Sequence, residues 1–285
     1  MSRGRDYREF LGARRDPIDT RDYVFRGAPA AALVKRGVIA MPLFVDRRDE
    51  CGPIYDQGQE PSCVGMAIAG AASRHYKAKG LVASGRWSYH FAQQNDRFPD
   101  AEGGSSVMAG LIGWDKEGAA PEELCPYVAN APNYAVFLNT LVHRVADSYP
   151  LQRYERLRGW TETCLAIKTH GIVVITWNIG EAWDNPGPNT IIEMKPGDQY
   201  WGWHAMDGVG YYNGDSPYII MRNSWGDWAQ KGYCPVSRLE FERNAKDVWL
   251  PIAGPKRKRL GLYHRVLQAF RAAARSWGNG VDWDM

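Results

Sequence analysis

From Cys63 to Gly80 the chain reads C-V-G-M-A-I-A-G-A-A-S-R-H-Y-K-A-K-G, and this segment limits what the rest can build. It carries no charge before Arg74, and its Ala and Gly let neighbours come close on every side. The spacing therefore predicts a helix buried at the centre of a domain. Pro61 and Ser62 stand where a stop and an N-cap belong, and Gly80 where a helix ends.

A buried helix needs layers around it. Helical patterns run from Tyr89 to Phe98, Val107 to Glu117 and Tyr134 to Ala146, with Pro121, Pro126 and Pro132 in the loops. From about Tyr149 the texture changes to β-branched and aromatic runs, G-I-V-V-I-T-W-N, W-H-A-M-D-G-V-G-Y-Y and P-Y-I-I-M-R-N, broken by Gly, Pro, Asn and Asp. One short helix is expected within this half, near Thr163 to His170. Helices first and strands after predict an α+β fold of two packed lobes. There is no internal repeat.

The ends differ from this body. Residues 1–41 are rich in Arg and Asp and form an extension, with one short helix over A-P-A-A-A-L-V-K-R-G-V. It reads either as a strap around the domain or as a short inhibitory segment in a cleft, and its shortness favours the strap. Residues 42–250 are the domain. Residues 251–285 carry K-R-K-R at Lys256 to Arg259 and then a basic amphipathic pattern. Leu262, Val266, Leu267 and Phe270 share one face there, with Arg265, Arg271 and Arg275 largely off it. Together with Trp277 and Trp283, this tail reads as a solvated basic face or as a docking surface. Residues 1–41 and 251–285 are thus candidate contacts for a protein partner or an assembly.

A net charge of +3 over 285 residues is too mild to imply nucleic-acid binding, and no specific nucleic-acid partner is expected. The opening M-S-R-G-R-D-Y-R-E-F-L-G has no apolar core of a secretion signal, and no run approaches the ~18 apolar residues of a membrane span. A cytoplasmic protein, or one built into a particle, is expected, with no transmembrane segment. Cys51, Cys63, Cys125, Cys164 and Cys234 show no CxxC pair, so no metal site is expected.

Four of these thiols read as small buried hydrophobes. Cys63 differs because it opens a helix, where free backbone N–H groups favour a thiolate. Gln57 lies six residues earlier and is followed by Gly58, so its amide can fold back above the sulfur and help the Cys63 N–H hold an oxyanion. His204 opens an otherwise apolar strand as a candidate base. Asn223 ends another strand as a candidate orienting group, with Trp225 placed to shield the Asn to His contact from water.

These segments resemble the papain-like cysteine peptidases, which carry Q-G-x-x-x-S-C, then H-A-x-x-x-V-G-Y, then N-S-W-G. Here they are Gln57 to Cys63, His204 to Tyr211 and Asn223 to Gly226, in that order. His204 follows Cys63 at a distance within the window of about 130–150 residues for this family, and Asn223 a little beyond it. The likeness covers roughly Pro42 to Leu250, and the lead-in M-P-L-F-V-D-R-R looks closer to bacterial or phage-borne members. It implies a papain-like fold with a helical N-terminal lobe and an antiparallel sheet or barrel in the C-terminal lobe, the active site lying in the cleft between them. It also implies a Cys63–His204 ion pair, Asn223 holding the imidazole, a thioester intermediate and a peptide or protein substrate, with no cofactor.

Departures are visible. Val64 stands where most members have Trp, and Glu60 where many have a disulfide-forming Cys. Trp203 is bulkier than expected before the His and would narrow the primed, leaving-group side of the cleft. Glu102 to Ser106 lies where members have a Gly-rich substrate-pairing segment, which makes Gly103 and Gly104 candidate binding residues alongside Trp203 and Trp225. A plain turn explains E-G-G-S-S equally well. An isopeptidase or transpeptidase using the same triad, and a structural or adaptor protein on a peptidase fold, for example within a phage particle, stay open beside the peptidase reading.

Overall fold

The computed structural model describes residues 7–17, 24–97, 103–131, 134–188 and 190–255. The N-terminal extension supplies a two-residue strand β1 (Ala13–Arg14) and helix α1 (Ala28–Lys35), and β2 (Phe44–Asp46) follows. The Ala/Gly segment is helix α2 (Cys63–His75), buried from Cys63 to Ser73. It stops five residues before Gly80, which instead closes a separate 3-10 turn over Lys77–Lys79. Ser62 precedes α2 without capping it, because its hydroxyl is 2.7 Å from the Tyr127 hydroxyl. The first-turn N–H groups are thereby left to the Cys63 sulfur.

Helix α3 (Gly85–Asn95) begins earlier than its apolar pattern, at Ser84, whose hydroxyl accepts the Trp87 N–H at 3.0 Å. The two-residue strand β3 (Ser105–Ser106) leads into α4 (Val107–Glu117), which has the expected bounds. The pattern expected as one helix from Tyr134 to Ala146 is divided. Asn139 Oδ1 accepts from the Leu141 and Val142 N–H groups, starting α5 (Thr140–Ala146) afresh after a 3-10 turn at Tyr134–Phe137.

The second half is strand β4 (Leu151–Arg156), helix α6 (Gly159–His170), then β5 (Val173–Gly180), β6 (Tyr200–Tyr212), β7 (Tyr218–Arg222) and β8 (Tyr233–Ser237). Helix α7 (Arg238–Asn244) and strand β9 (Ala245–Ala253) end it. The strands form an antiparallel sheet in the order β4-β9-β5-β6-β7-β8, with β2 also paired to β6. Three of them were not legible. L-Q-R-Y-E-R and the start of A-K-D-V-W-L-P-I-A are too charged to read as strands, and β8 contains Pro235, which an end strand tolerates.

Helix α2 packs against α3 and α4 on one side and against β6 on the other. One core joins Met66, Ile68 and Leu111 to Val174, Ala205 and Trp249 of the sheet. A second, behind the sheet, holds Trp177, Trp183, Ile219 and Met221 against Leu165 and Ile167 of α6. The helical lobe and the sheet lobe therefore meet along α2 and β6, and Cys63 and His204 lie on those two elements. Strand β9 runs three residues past Leu250, and the basic pattern from Lys256 onward lies outside the described residues. Among the described residues no helix is long and apolar enough to cross a membrane.

Candidate active site

The sheet carries one half of the site. His204 lies on β6 opposite Trp177 of β5, and Asn223 directly follows β7. Because β6 and β7 pair through Asp207 and Arg222, the ladder brings the two motifs together, and His204 Nε2 is 2.7 Å from Asn223 Oδ1. An amide oxygen can only accept, so Nε2 carries the proton and Nδ1 is left with a free lone pair; that atom has no hydrogen-bonding partner. The Trp225 ring covers the imidazole at 4.7 Å between centroids, as its place in the motif suggests.

The helix side carries the other half. Gln57 is held at both ends: its Oε1 accepts from the Ser224 hydroxyl at 2.7 Å, which turns Nε2 into the cleft, and its own N–H donates to the Ser224 carbonyl at 2.9 Å. Ser224 thus ties the Asn223 motif to the Gln57 turn. The N-S-W-G motif contains this residue, but nothing in the sequence indicates that its hydroxyl faces Gln57.

Behind Gln57 lies a buried polar cluster that the sequence does not announce. Arg86 makes a two-pronged ion pair with Glu60, at 2.8 and 2.6 Å, and donates to the Val128 carbonyl at 2.6 Å. The Tyr127 hydroxyl lies 2.6 Å from Glu60 Oε2 and 2.8 Å from the Gln57 carbonyl oxygen. Glu60, noted as a missing disulfide cysteine, is therefore the centre of a cross-link made of charge. On the sheet side, Arg222 pairs with Asp207 at 3.0 Å beneath α2 and also donates to the Pro53 carbonyl. Burial pushes the Asp207 carboxyl up, and Arg222 pulls it back.

The chain's own N-terminal segment fills the cleft. Gln57 Nε2 donates to the Phe10 carbonyl at 3.0 Å. Strand β1 pairs in parallel with β3, and the Ser105 N–H donates to the Gly12 carbonyl at 2.8 Å. Glycine is required on both sides of this crossing. A Cβ on Gly12 would run into the Pro61 carbonyl, and one on Gly104 into the Gly12 carbonyl. Gly103 and Gly104 therefore do border an extended peptide, and that peptide is residues 12–14. Trp203 stacks under the Arg15 guanidinium, 5.3 Å away. Its ring therefore lies beside the N-terminal segment. Residues 10–14 thus lie between Gln57 and the β3 segment.

Cys63 and His204 have no exposed surface, and Asn223 has 2%. Burial pushes the Cys63 thiol up, although the backbone N–H groups of Ala205, Gly12, Val64 and Cys63 itself all favour the thiolate. Burial also pushes His204 down to about 4, against the raising effect of Asn223. The burial that accompanies the bound segment removes the water that would solvate an ion pair, and so works against the thiolate that a helix start favours. The other four cysteines are buried free thiols. Among the described residues no group of three or more His, Cys, Asp or Glu side chains gathers where a metal ion could sit.

The sequence profile described as "Papain family cysteine protease" matches residues 41–246. Among curated proteins, none matches the chain. Solved structures share its fold. Xylellain, a cysteine protease from Xylella fastidiosa, is 20% identical with a TM-score of 0.75, over 90% of this chain and 100% of that one. Digestive procathepsin L 3 from the larval midgut of Tenebrio molitor is 18% identical with a TM-score of 0.62, over 86% of this chain and 77% of that one. The bromelain protease from Ananas comosus, solved with the E64 inhibitor, is 18% identical with a TM-score of 0.57, over 74% of this chain and 99% of that one. The chain belongs to the papain family of cysteine proteases and is an enzyme of the cysteine-peptidase class.

Proposed function

We propose that this enzyme hydrolyses peptide bonds with Cys63 as nucleophile, His204 as base and then acid, Asn223 orienting the imidazole and Gln57 with the Cys63 N–H receiving the oxyanion. In this reading residues 7–17 hold the enzyme closed as a short pro-like segment. The observation that carries both parts is the Gln57 side chain donating to a peptide carbonyl, that of Phe10, in a segment whose Gly12 N–H faces the sulfur.

When a substrate replaces the segment, His204 takes the thiol proton and the sulfur attacks the carbonyl carbon. The developing oxyanion lies on the Gln57 amide, a contact worth ~3 kcal/mol of barrier. His204 then gives the proton to the leaving amine, and water cleaves the thioester. The closing segment escapes attack because the atom it brings to the sulfur is a backbone nitrogen, whereas the nucleophile needs a carbonyl carbon.

The test compares unfolded casein digestion by the Asp16→Ala chain, in which the segment is loosened, with the Asp16→Ala, Cys63→Ala chain. Cleavage by the first and none by the second is expected. Persistent cleavage without Cys63 would sink the assignment. Absence of cleavage by either, with Cys63 reactive to a thiol-directed epoxide, would favour an adaptor role, the reading to which the filled cleft also lends support.

A further inference from the structure

The turn from Gln57 to Cys63 carries both proposed oxyanion donors, the Gln57 amide at its start and the Cys63 N–H at its end. One side chain from outside the turn touches it at three points. The Tyr127 hydroxyl lies 2.8 Å from the Gln57 carbonyl oxygen, 2.6 Å from Glu60 Oε2 and 2.7 Å from the Ser62 hydroxyl. A phenol has a single proton, so Tyr127 shares it between the carbonyl and the carboxylate, and the Ser62 hydroxyl donates to the phenol oxygen in turn. Tyr127 is itself fixed. Its N–H donates to Glu122 Oε1 at 2.6 Å, and the Arg86 guanidinium lies over its ring, 4.8 Å from the centroid. The peptide plane between Gln57 and Gly58 is therefore gripped at both edges, since the Gly58 N–H donates to Asp56 Oδ1 at 2.9 Å. Gly58 has a φ of +58°, a turn that glycine makes without strain.

We infer that Tyr127 is a positioning residue for the oxyanion site, its hydroxyl holding the Gln57 amide at the distance from the Cys63 N–H that one oxygen can bridge. The inference rests on the proposed peptidase reading for the reaction, and on the three contacts of the phenol for its geometry. Ser224 sets the rotation of the Gln57 amide and, through its carbonyl, holds the Gln57 N–H. Tyr127 holds the Gln57 carbonyl on the other edge of the residue, so Gln57 is fixed between the sheet wall and the helical lobe and cannot pivot about either. At the far end of the turn the same phenol engages Ser62, the residue directly before Cys63. Both oxyanion donors are thus referred to one atom. Donors stabilise a developing charge most when they are aimed before the reaction, because nothing then has to reorganise, and a misplacement of ~1 Å can cost about a hundredfold in rate. The buried Glu60–Arg86 pair serves as the anchor, since Glu60 accepts from Tyr127 while Arg86 covers its ring.

The test uses the full chain carrying Asp16→Ala, in which the closing segment is loosened, with and without Tyr127→Phe, which keeps the ring and removes the hydroxyl. Turnover of a peptide amide, inhibition by a peptide aldehyde and alkylation by iodoacetamide are measured. The aldehyde adds reversibly: the sulfur–carbon bond forms, the carbonyl π pair moves to oxygen and the thiol proton to His204, so its oxygen needs the oxyanion donors. Iodoacetamide loses iodide to the sulfur and needs the thiolate alone. Tyr127→Phe should lower kcat about tenfold with KM within twofold, weaken the aldehyde about tenfold, and leave the alkylation rate and its pH profile unchanged. In a Gln57→Ala chain the same substitution should change neither kcat nor the aldehyde constant, because Tyr127 acts through Gln57. Tyr127→p-aminophenylalanine, which restores a donor of the same shape, should recover turnover to within about threefold. Equal losses of turnover and alkylation, an undiminished effect of Tyr127→Phe without Gln57, no effect on turnover and aldehyde, or no recovery with the amine would each overturn the inference. Aldehyde binding that depends on Tyr127 without turnover by any chain would overturn the peptidase reading and leave the inference standing. Turnover independent of Tyr127 would do the reverse, and no aldehyde binding by the Asp16→Ala chain would overturn both.

Discussion

The two walls of the cleft are held by different means. On the sheet wall, His204 and Asn223 are positioned by a β-ladder, and the Asp207–Arg222 pair that supports them lies within the same two strands. On the helix wall, Gln57 sits in a loop tied to the sheet side only by the Asp56–Trp225 bridge and its own N–H to the Ser224 carbonyl, and side chains complete its placement: Ser224, Tyr127 and, through Tyr127, the Glu60–Arg86 pair. A ladder distributes a defect over many backbone bonds, whereas a loop held by a few polar contacts passes a defect directly to the Gln57 amide, the proposed oxyanion donor. Damage to the sheet wall should therefore appear first as lost stability, and damage to the helix wall first as lost rate.

The largest effect is expected from Arg222→Ala, which leaves the Asp207 carboxylate buried without its partner. A loss of about 3–5 kcal/mol is expected, read as a fall in the urea midpoint of unfolding. Gly70→Ala should mimic part of it, because a Cβ there would run into the Arg222 guanidinium and the Asp207 carboxylate. Next comes Glu60→Gln, which keeps the shape but weakens two charge-assisted contacts. A loss of about 1–3 kcal/mol is expected, together with about a tenfold fall in kcat and little change in KM. Equal falls in stability and rate for the two walls would break the contrast.

Asp16 joins the walls, since its Oδ1 accepts from Met108 N–H of α4 and its Oδ2 from Trp249 Nε1–H of β9. Asp16→Ala should loosen the closing segment and speed iodoacetamide labelling of Cys63 by about tenfold, a loss of ~1.4 kcal/mol of closure. The smallest effect is on pH. His204 is held neutral down to about pH 4 while closed, so closure loses favour as the pH falls from 6.5 toward 4 and an opened imidazole takes up a proton. Asp16 opposes this. Burial, and then Asp247, push its carboxyl up from 3.8 to about 6, so closure takes up a proton over that range. The labelling rate should therefore change little with acidification in the parent chain and rise steeply in Asp16→Asn. Histidine NMR should show the His204 ring neutral at pH 5 in the resting parent chain.

The helix at Cys63 and the strands at His204 and Asn223 were legible because each is a periodic run bounded by turn residues, and their chemistry is packed into three short motifs. The motif residues are local in sequence, so their spacing could be read directly. The supports were not legible. Arg86, Tyr127 and Ser224 come from three separate segments, and an arginine in a helix or a tyrosine in a loop carries no mark of the carboxylate it will meet. The end of α2 was missed because K-A-K reads as helix, although the chain tightens into a 3-10 turn there. Likewise the single helix expected at Tyr134 was split by Asn139, whose side chain competes for the backbone.

By itself the sequence determined the three papain-family motifs and the order of helices before strands, since both follow from residue type and periodicity along the chain. Only the tertiary structure decided that residues 10–14 lie across Cys63 and that Glu60 finds Arg86. It also decided that burial raises the Cys63 thiol and lowers the His204 imidazole, against the pull of the surrounding N–H groups and of Asn223. Those outcomes depend on close approach and on water being excluded between segments far apart in sequence, and neither quantity is written in any one segment.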